Sequence, residues 1–129
     1  MIAYISGHLD LTPEEFDEHY GEKLKDAILQ GHEFVVGDAR GTDEMAQNCL
    51  FEVCDKDKVT VYHMFELPRN YKIGFKIKGG FKSDTERDEA MTAASDYDIA
   101  WVRPGREKSG TAKNIARRKM MNENITQNN

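Results

Sequence analysis

The chain is predicted to fold as an α/β protein, a three-layer α/β/α sandwich with a central parallel sheet, and three observations carry that expectation. Short apolar runs rich in β-branched residues alternate with longer segments of helical periodicity, in the order β-α-β-α-β-α-β-α. The apolar runs stop at glycines or polar turns, and the helical segments open on N-cap residues. The 129 residues suffice for one domain with a core of its own, and they hold neither internal repeats nor an interdomain linker. Helices on both faces of a parallel sheet make the arrangement Rossmann-like, with ligands expected outside the carboxyl ends of the strands.

The first strand, Ile2-Ala3-Tyr4-Ile5, delivers Ser6, Gly7 and His8 to its carboxyl end. Thr12-Pro13-Glu14-Glu15 then supplies an N-cap hydroxyl, a proline in the first turn and a glutamate three residues after the cap, the pattern of a capping box. Phe16, Tyr20, Leu24, Ala27 and Ile28 recur at helical spacing as the buried face, and Gly31 is a natural stop. The second strand is Phe34 to Val36, and the helix that follows is expected to bury Met45, Ala46, Cys49, Leu50 and Val53. Val59 to Met64 reads as the third strand. Ser83-Asp84-Thr85-Glu86 repeats the capping logic and starts a helix through Arg87, Asp88, Met91 and Ala94. Asp98 to Val102 is the fourth strand, with Trp101 expected in the core. Ser109-Gly110-Thr111 opens the last helix, with Ile115, Ala116 and Met120 turned inward. The domain is expected to cover residues 1–121, with residues 122–129 a frayed polar tail.

One stretch organises the candidate site. Gly37-Asp38-Ala39-Arg40-Gly41-Thr42 lies between a strand and a helix, the arrangement of a phosphate cradle. Its two glycines permit a tight turn and a close backbone approach, and the N–H groups of the following helix favour an anion. The other reading is an ordinary turn in which the glycines serve chain reversal alone. Polar residues recur at the end of every strand: Ser6, Gly7 and His8; Gly37 to Thr42; a basic segment after the third strand; Arg103 with Ser109, Gly110 and Thr111 after the fourth. Four separate pieces thus converge on one edge of the sheet, which favours the cradle. The basic segment, Leu67 to Lys82, carries Arg69, Lys72, Lys76, Lys78 and Lys82 and no acid beyond them, interleaved with Tyr71, Phe75 and Phe81. It reads equally as a lid over an anionic ligand or as a solvated loop or subunit contact. The alternation of Ile73, Phe75 and Ile77 also suits an added edge strand.

Composition excludes several classes. A net charge of −5 and a pI near 5.4 argue against a general nucleic-acid binder, so no stable nucleic-acid complex is expected. No apolar run approaches the roughly 18–20 residues of a membrane span, and Met1-Ile2-Ala3-Tyr4 enters a strand with no signal-like core, which points to the cytoplasm. Asn124-Ile125-Thr126 matches a glycosylation acceptor pattern, which carries no meaning there. Cys49 and Cys54 lie five apart on one helix and read as reduced thiols. His8, His19, His32 and His63 lack metal-ligand spacing, so neither a metal nor a cofactor is expected. Apolar residues on the last helix beyond those that four strands would cover point to a homo-oligomer.

Gly37 to Asp43 with Ala46, Glu86-Arg87-Asp88-Glu89-Ala90-Met91, Asp96 to Trp101, and Ser109-Gly110-Thr111 with Asn114-Ile115 together resemble the SLOG superfamily of Rossmann-like nucleotide-binding proteins. The resemblance runs from about Ile2 to Met120. It implies a nucleotide or nucleotide-derived ligand, with phosphate at the glycine turns and the ribose or base near Arg87 and Asp88. Catalytic phosphoribohydrolases of that superfamily, and the similar deoxyribosyltransferases, carry a glutamate shortly after the last Gly-Thr. Here that neighbourhood offers Asn114, which can hydrogen-bond a hydroxyl but cannot serve as base or nucleophile. The expected ligand-binding set is therefore Ser6, Gly7, His8, Gly37, Asp38, Ala39, Arg40, Gly41, Thr42, Arg87, Asp88, Arg103, Ser109, Gly110, Thr111 and Asn114. Asp43, in the first helical turn, is expected to complete a cap. A sensor or sequestering module without turnover is the favoured reading. An N-glycosidase using Asp38 or Asp88 is the alternative, and a structural subunit is the third possibility.

Overall fold

The computed structural model describes residues 1–127, with side chains to residue 123. Five parallel strands form one sheet: β1 (Ile2–Ser6), β2 (Glu33–Gly37), β3 (Val59–Met64), β4 (Lys76–Phe81) and β5 (Tyr97–Ala100), in the spatial order β4-β3-β2-β1-β5. The α/β sandwich with a central parallel sheet is thus the observed architecture. The helices are α1 (Pro13–Phe16) and α2 (Glu22–Leu29), joined through a π turn at Asp17–Gly21, then α3 (Thr42–Val53), α4 (Asp84–Ala93) and α5 (Gly110–Gln127). Among the described residues no helix is long and apolar enough to cross a membrane.

Strand pleating sorts the core into two layers. Ala3, Ile5, Phe34, Val36, Val59, Val61 and Ile99 point to one face, where Phe16, Tyr20, Leu24, Ala46 and Leu50 cover them. Tyr4, Val35 and Tyr62 point to the other face and meet Met91 of α4. Each fully buried Leu or Phe of these layers contributes on the order of 1.5–3 kcal/mol. The capping box of α1 is present as its spacing predicts: Thr12 Oγ1 accepts from Glu15 N at 3.1 Å, and Glu15 Oε1 accepts from Thr12 N at 2.9 Å.

Three elements depart from the sequence reading. The basic segment takes its edge-strand reading and supplies a fifth strand, β4, paired to β3. Residues 65–75, which precede it, form no helix. They run down the α3 side, where Gln47 donates to Asn70 O and accepts from Lys72 N, and Phe75 buries edge-on against Phe51 at 5.9 Å. In α3 the buried residues include Thr42 and Gln47, whereas Val53 is exposed. On α5 the inward positions are Thr111, Asn114 and Arg118, and Ile115, Ala116 and Met120 are exposed. Arg118 is drawn in by Asp98, by Ser95 and by the carbonyl of Thr92, so charge and hydrogen bonding outweigh hydropathy there. Finally, α5 continues through residues 122–127, where a frayed tail is expected; residues 128–129 and the side chains of Asn124, Ile125 and Thr126 lie outside the described residues. Trp101 falls just past β5, half-buried, with His19 stacked on it at 3.8 Å.

The topology places a ligand crevice. Connections from β1 through β4 step toward one edge of the sheet, and β5 then returns to the other side of β1. The carboxyl ends of β1 and β5 are therefore the switch point, where the loops part and leave a cleft.

Candidate functional site

At that point β1 ends in Ser6-Gly7-His8. Gly7 is required by crowding: a Cβ there would collide with Thr42 Oγ1 and with the hydroxyl of Tyr20. The Tyr20 hydroxyl donates to Ser6 O at 2.7 Å and accepts from Trp101 N at 3.1 Å, so it ties the ends of β1 and β5 together. Burial pushes this phenol up to about 12, so it stays a neutral donor. His8 Nε2 accepts from Arg103 N at 2.9 Å. Burial, with the charges of Arg103 and Arg106, lowers the His8 pKa, which keeps the ring neutral and suited to that acceptor role. Ser6 Oγ differs from its neighbours: it is buried and has no protein partner.

The turn between β2 and α3 is not an open cradle. Asp43, in the first turn of α3, folds back so that its Oδ2 accepts the Ala39 N–H at 3.1 Å and stands 2.5 Å from where a Gly37 Cβ would be. The chain's own carboxylate thus occupies the place an external anion would take. Gly41 has φ +74°, and a Cβ on it would strike the carbonyls of His8 and Leu9. Thr42 sends both its N–H (3.2 Å) and its Oγ1 (3.0 Å) to His8 O. Gly41 and Thr42 therefore clamp the β1 loop rather than face a ligand, and the Arg40 side chain is exposed to solvent, away from the cavity.

Asp38 is walled in. Its Oδ2 accepts from Arg69 N at 2.8 Å and Arg69 Nε at 3.2 Å, and its Oδ1 accepts from Arg69 NH2 at 2.8 Å and Arg87 NH1 at 3.1 Å. Both oxygens are committed, and Asp38 does not line the cavity, which removes the geometry expected of a reacting carboxylate. Arg87 also bonds Asp88 Oδ1, by Nε at 3.4 Å and NH2 at 3.3 Å, and approaches Asp84 at 3.5 Å. The Tyr4 hydroxyl accepts from Asn114 Nδ2 at 3.0 Å and is hydrogen-bonded to Asp88.

Arg103 has a structural place. It makes a two-pronged pair with Glu15, Nε to Oε2 at 2.8 Å and NH2 to Oε1 at 2.7 Å, and bonds Asp10 Oδ1 at 3.1 Å. That pairing holds the Glu15 carboxyl down at about 2 and joins the start of α1 to the end of β5. Arg103 faces α1, and the basic residues on the cavity wall are Arg69, Arg87 and Arg106, of which Arg106 is the one that follows β5. Ser109 caps α5: its O accepts from Lys113 N, and its Oγ accepts from Ala112 N at 3.2 Å. Gly110 and Thr111 are left as first-turn N–H donors at the wall.

A polar cavity of about 430 Å³ results. Of the expected set it gathers Ser6, Gly7, His8, Gly37, Ala39, Arg87, Asp88, Ser109, Gly110, Thr111 and Asn114, and it leaves out Asp38, Arg40, Gly41, Thr42 and Arg103. It adds Tyr4, Leu9, Asp43, Arg69, Asp84, Met91 and Arg106. Asp43 and Asp84 were legible as acids beside glycine turns and caps, but Tyr4 reads as an ordinary strand aromatic. The basic segment does not form a lid, since Arg69 alone of it reaches the wall. Burial pushes the Asp43 carboxyl up to about 7, and the charges of Asp88 and Asp38 add to this against Arg87 and the Ala39 N–H. Burial raises Asp88 as well, against Arg87 and Tyr4. Among the described residues no group of three or more His, Cys, Asp or Glu is arranged to hold a metal ion. A wider groove of about 670 Å³ lies between Asp98 of β5 and Ile115, Lys119 and Glu123 of α5, away from the strand ends.

Comparison of the chain with protein-family models, with curated proteins and with solved structures finds no match.

Proposed function

We propose that the cavity at the switch point binds a nucleotide or nucleotide-derived small molecule, with its anionic end at the first turn of α5, as a sensor or sequestering module without turnover. The observation that carries this reading is a polar cavity lined by Ser6, Gly110, Thr111 and Arg106, beside which the buried Ser6 hydroxyl has no protein partner. A buried hydroxyl left unsatisfied costs about 1–3 kcal/mol, a cost that a ligand oxygen would remove once the hydroxyl turns toward the cavity. The helix end adds N–H donors and a favourable dipole for phosphate. Asp43 in the other glycine turn argues that a single phosphate subsite serves the ligand. The resemblance to the SLOG superfamily, residence in the cytoplasm and assembly into a homo-oligomer belong to the same proposal. The exposed Ile115 and Met120 on α5 favour the last of these.

Hydrolysis of an N-glycosidic bond is the second reading, favoured by Asp88 at the cavity wall. Asn114 donates to Tyr4 and offers no carboxylate. A thermal-shift screen against inorganic phosphate, nucleoside mono- and diphosphates, adenosine diphosphate ribose and its cyclic relatives tests both, with each incubation assayed for released base. A ligand at 100 times its Kd stabilises by about 2.7 kcal/mol, roughly 10 °C for a chain of this size. A shift with intact ligand supports the sensor and a shift with free base supports the hydrolase. No shift with any of them refutes the nucleotide reading.

A further inference from the structure

The two ends of the cavity differ in chemistry. At the α5 end stand N–H donors, Arg106 and the unpartnered Ser6 hydroxyl. At the other end Asp43, Asp84 and Asp88 line the wall, with Asp38 close by but off the cavity. Asp38, Asp84 and Asp88 are ion-paired through Arg87, and Asp38 also through Arg69. Among the described residues Asp43 makes no ion pair, and its one hydrogen bond is from the Ala39 N–H to Oδ2. The groups facing Asp43 are Asp38 before α3, Arg87 and Asp88 from α4, and Tyr4 from β1, with Arg69 behind Asp38 and Arg117 of α5 acting on Asp88. Of the three carboxyl groups on this wall Asp84 is exposed, and full ionisation of the other two, Asp43 and Asp88, is opposed by burial and by their mutual repulsion. Asp88 is the member held by Arg87 and Tyr4, which leaves Asp43, without an ion pair among the described residues and raised by burial, as the member that takes up a proton more readily.

A carboxyl group beside a carboxylate is matched by one chemical partner above others. A hydroxyl accepts from the first and donates to the second, whereas a phosphate would be repelled by the second. Resting on the nucleotide reading above, we propose that Asp43 meets the ligand as a hydrogen-bond donor beside Asp88 as acceptor, the pair gripping one sugar hydroxyl while the anionic end lies at α5. The site then selects a hydroxylated sugar phosphate over its deoxy analogue. Affinity is highest while Asp43 holds its proton and falls as the proton leaves, by up to about tenfold per pH unit. Asp43→Asn keeps a donor at that place and removes the pH dependence.

The test is calorimetric titration of the wild-type protein and Asp43→Asn with adenosine monophosphate and its 2′-deoxy and 3′-deoxy analogues, from pH 6 to 8.5. The phosphate of these ligands itself ionises near pH 6, an effect common to both proteins. The expected result is a wild-type affinity that weakens at least tenfold relative to the variant between pH 6.5 and 8.5. At pH 6.5, removal of one of the two hydroxyls is expected to weaken wild-type binding tenfold or more. The same pH profile in both proteins, or equal affinity for all three ligands, overturns this inference and leaves the nucleotide reading standing. No binding of any nucleotide to either protein overturns the nucleotide reading itself, and this inference with it. Should Asp43→Asn fail to fold, carbon-13 titration of the Asp43 carboxyl in the wild-type protein decides. A midpoint above 6 supports the donor, and a midpoint of 6 or below overturns it.

Discussion

Replacing Asp38 by Ala removes the acid that anchors the end of β2 to two arginines. The Asp38 side chain is fully buried, and it accepts three hydrogen bonds from Arg69 and one from Arg87. Burial alone would raise its pKa, but the hydrogen bonds from Arg69 and the charges of Arg69 and Arg87 outweigh burial and hold it below the usual carboxylate range. Loss of the acid leaves Arg87, with a side chain 9% exposed, to Asp88 and Asp84 at 3.3–3.5 Å, and leaves the Arg69 N–H without its acceptor. Breaking a buried pair from one side costs about 3–5 kcal/mol, and the two remaining acids place this case near 3 kcal/mol. Unfolding entropy of roughly 0.27 kcal/mol per K for a chain of 129 residues turns that into a fall in Tm of about 11 °C. In urea, with m near 1.5 kcal/mol/M, the midpoint falls by about 2 M. The acid limb provides a second readout. A carboxyl whose folded pKa is depressed stabilises above its unfolded pKa of about 4, and that stabilisation disappears as pH falls through the folded value. Asp38→Ala should therefore lose its deficit relative to wild type as the pH is taken below about 4. Arg69→Ala, with a half-exposed side chain, should cost less than half as much. A urea-derived loss under 1 kcal/mol for Asp38→Ala at pH 7, or a deficit that persists unchanged at pH 2.5, would refute the reasoning.

Three further outcomes follow from the geometry. Gly7→Ala drives a methyl group into Thr42 and the Tyr20 hydroxyl, and overpacking of that kind destabilises by about 1–3 kcal/mol, measurable as a urea midpoint shift. Gln47→Leu strips partners from Gly37 O, Asn70 O and Lys72 N, and hydrogen exchange should show faster opening across residues 69–75 while the amides of β1 stay protected. Ser6→Ala removes a buried hydroxyl that bonds nothing in the protein, so Tm should hold or rise by a few degrees while affinity for a nucleoside monophosphate falls at least tenfold; a loss of stability would show that Ser6 serves the fold instead.

The elements whose information is local were legible from residue order. Thr12 and Glu15 form the reciprocal cap that their spacing announces, and Ser83 Oγ accepts from Glu86 N as its pattern predicts. Glu86, however, turns to Lys82 N rather than back to Ser83. The alternation near Ile73 to Ile77 admitted an edge strand as one reading of three, and pairing with β3 set its actual span at Lys76–Phe81. Hydropathy placed the wrong face of α5 inward, because Arg118 and Asn114 are buried by partners distant in sequence: Asp98 and Ser95 for the first, Tyr4 for the second. Arg103 shares a strand end with the cavity residues, but Glu15 lies 88 positions away and claims it.

Residue order alone therefore determined the layers, the parallel sheet and the edge at which polar residues gather, because strand period, helix period and caps act over a few positions. Only the tertiary structure decided which of those polar residues face the cavity. Asp38, Thr42 and Arg103 are spent on partners in the protein, and Asp43 fills the glycine turn that its sequence pattern offers to an anion. A charged or hydroxylated side chain takes whatever partner the fold brings within about 3 Å, and that choice is made by residues far away along the chain.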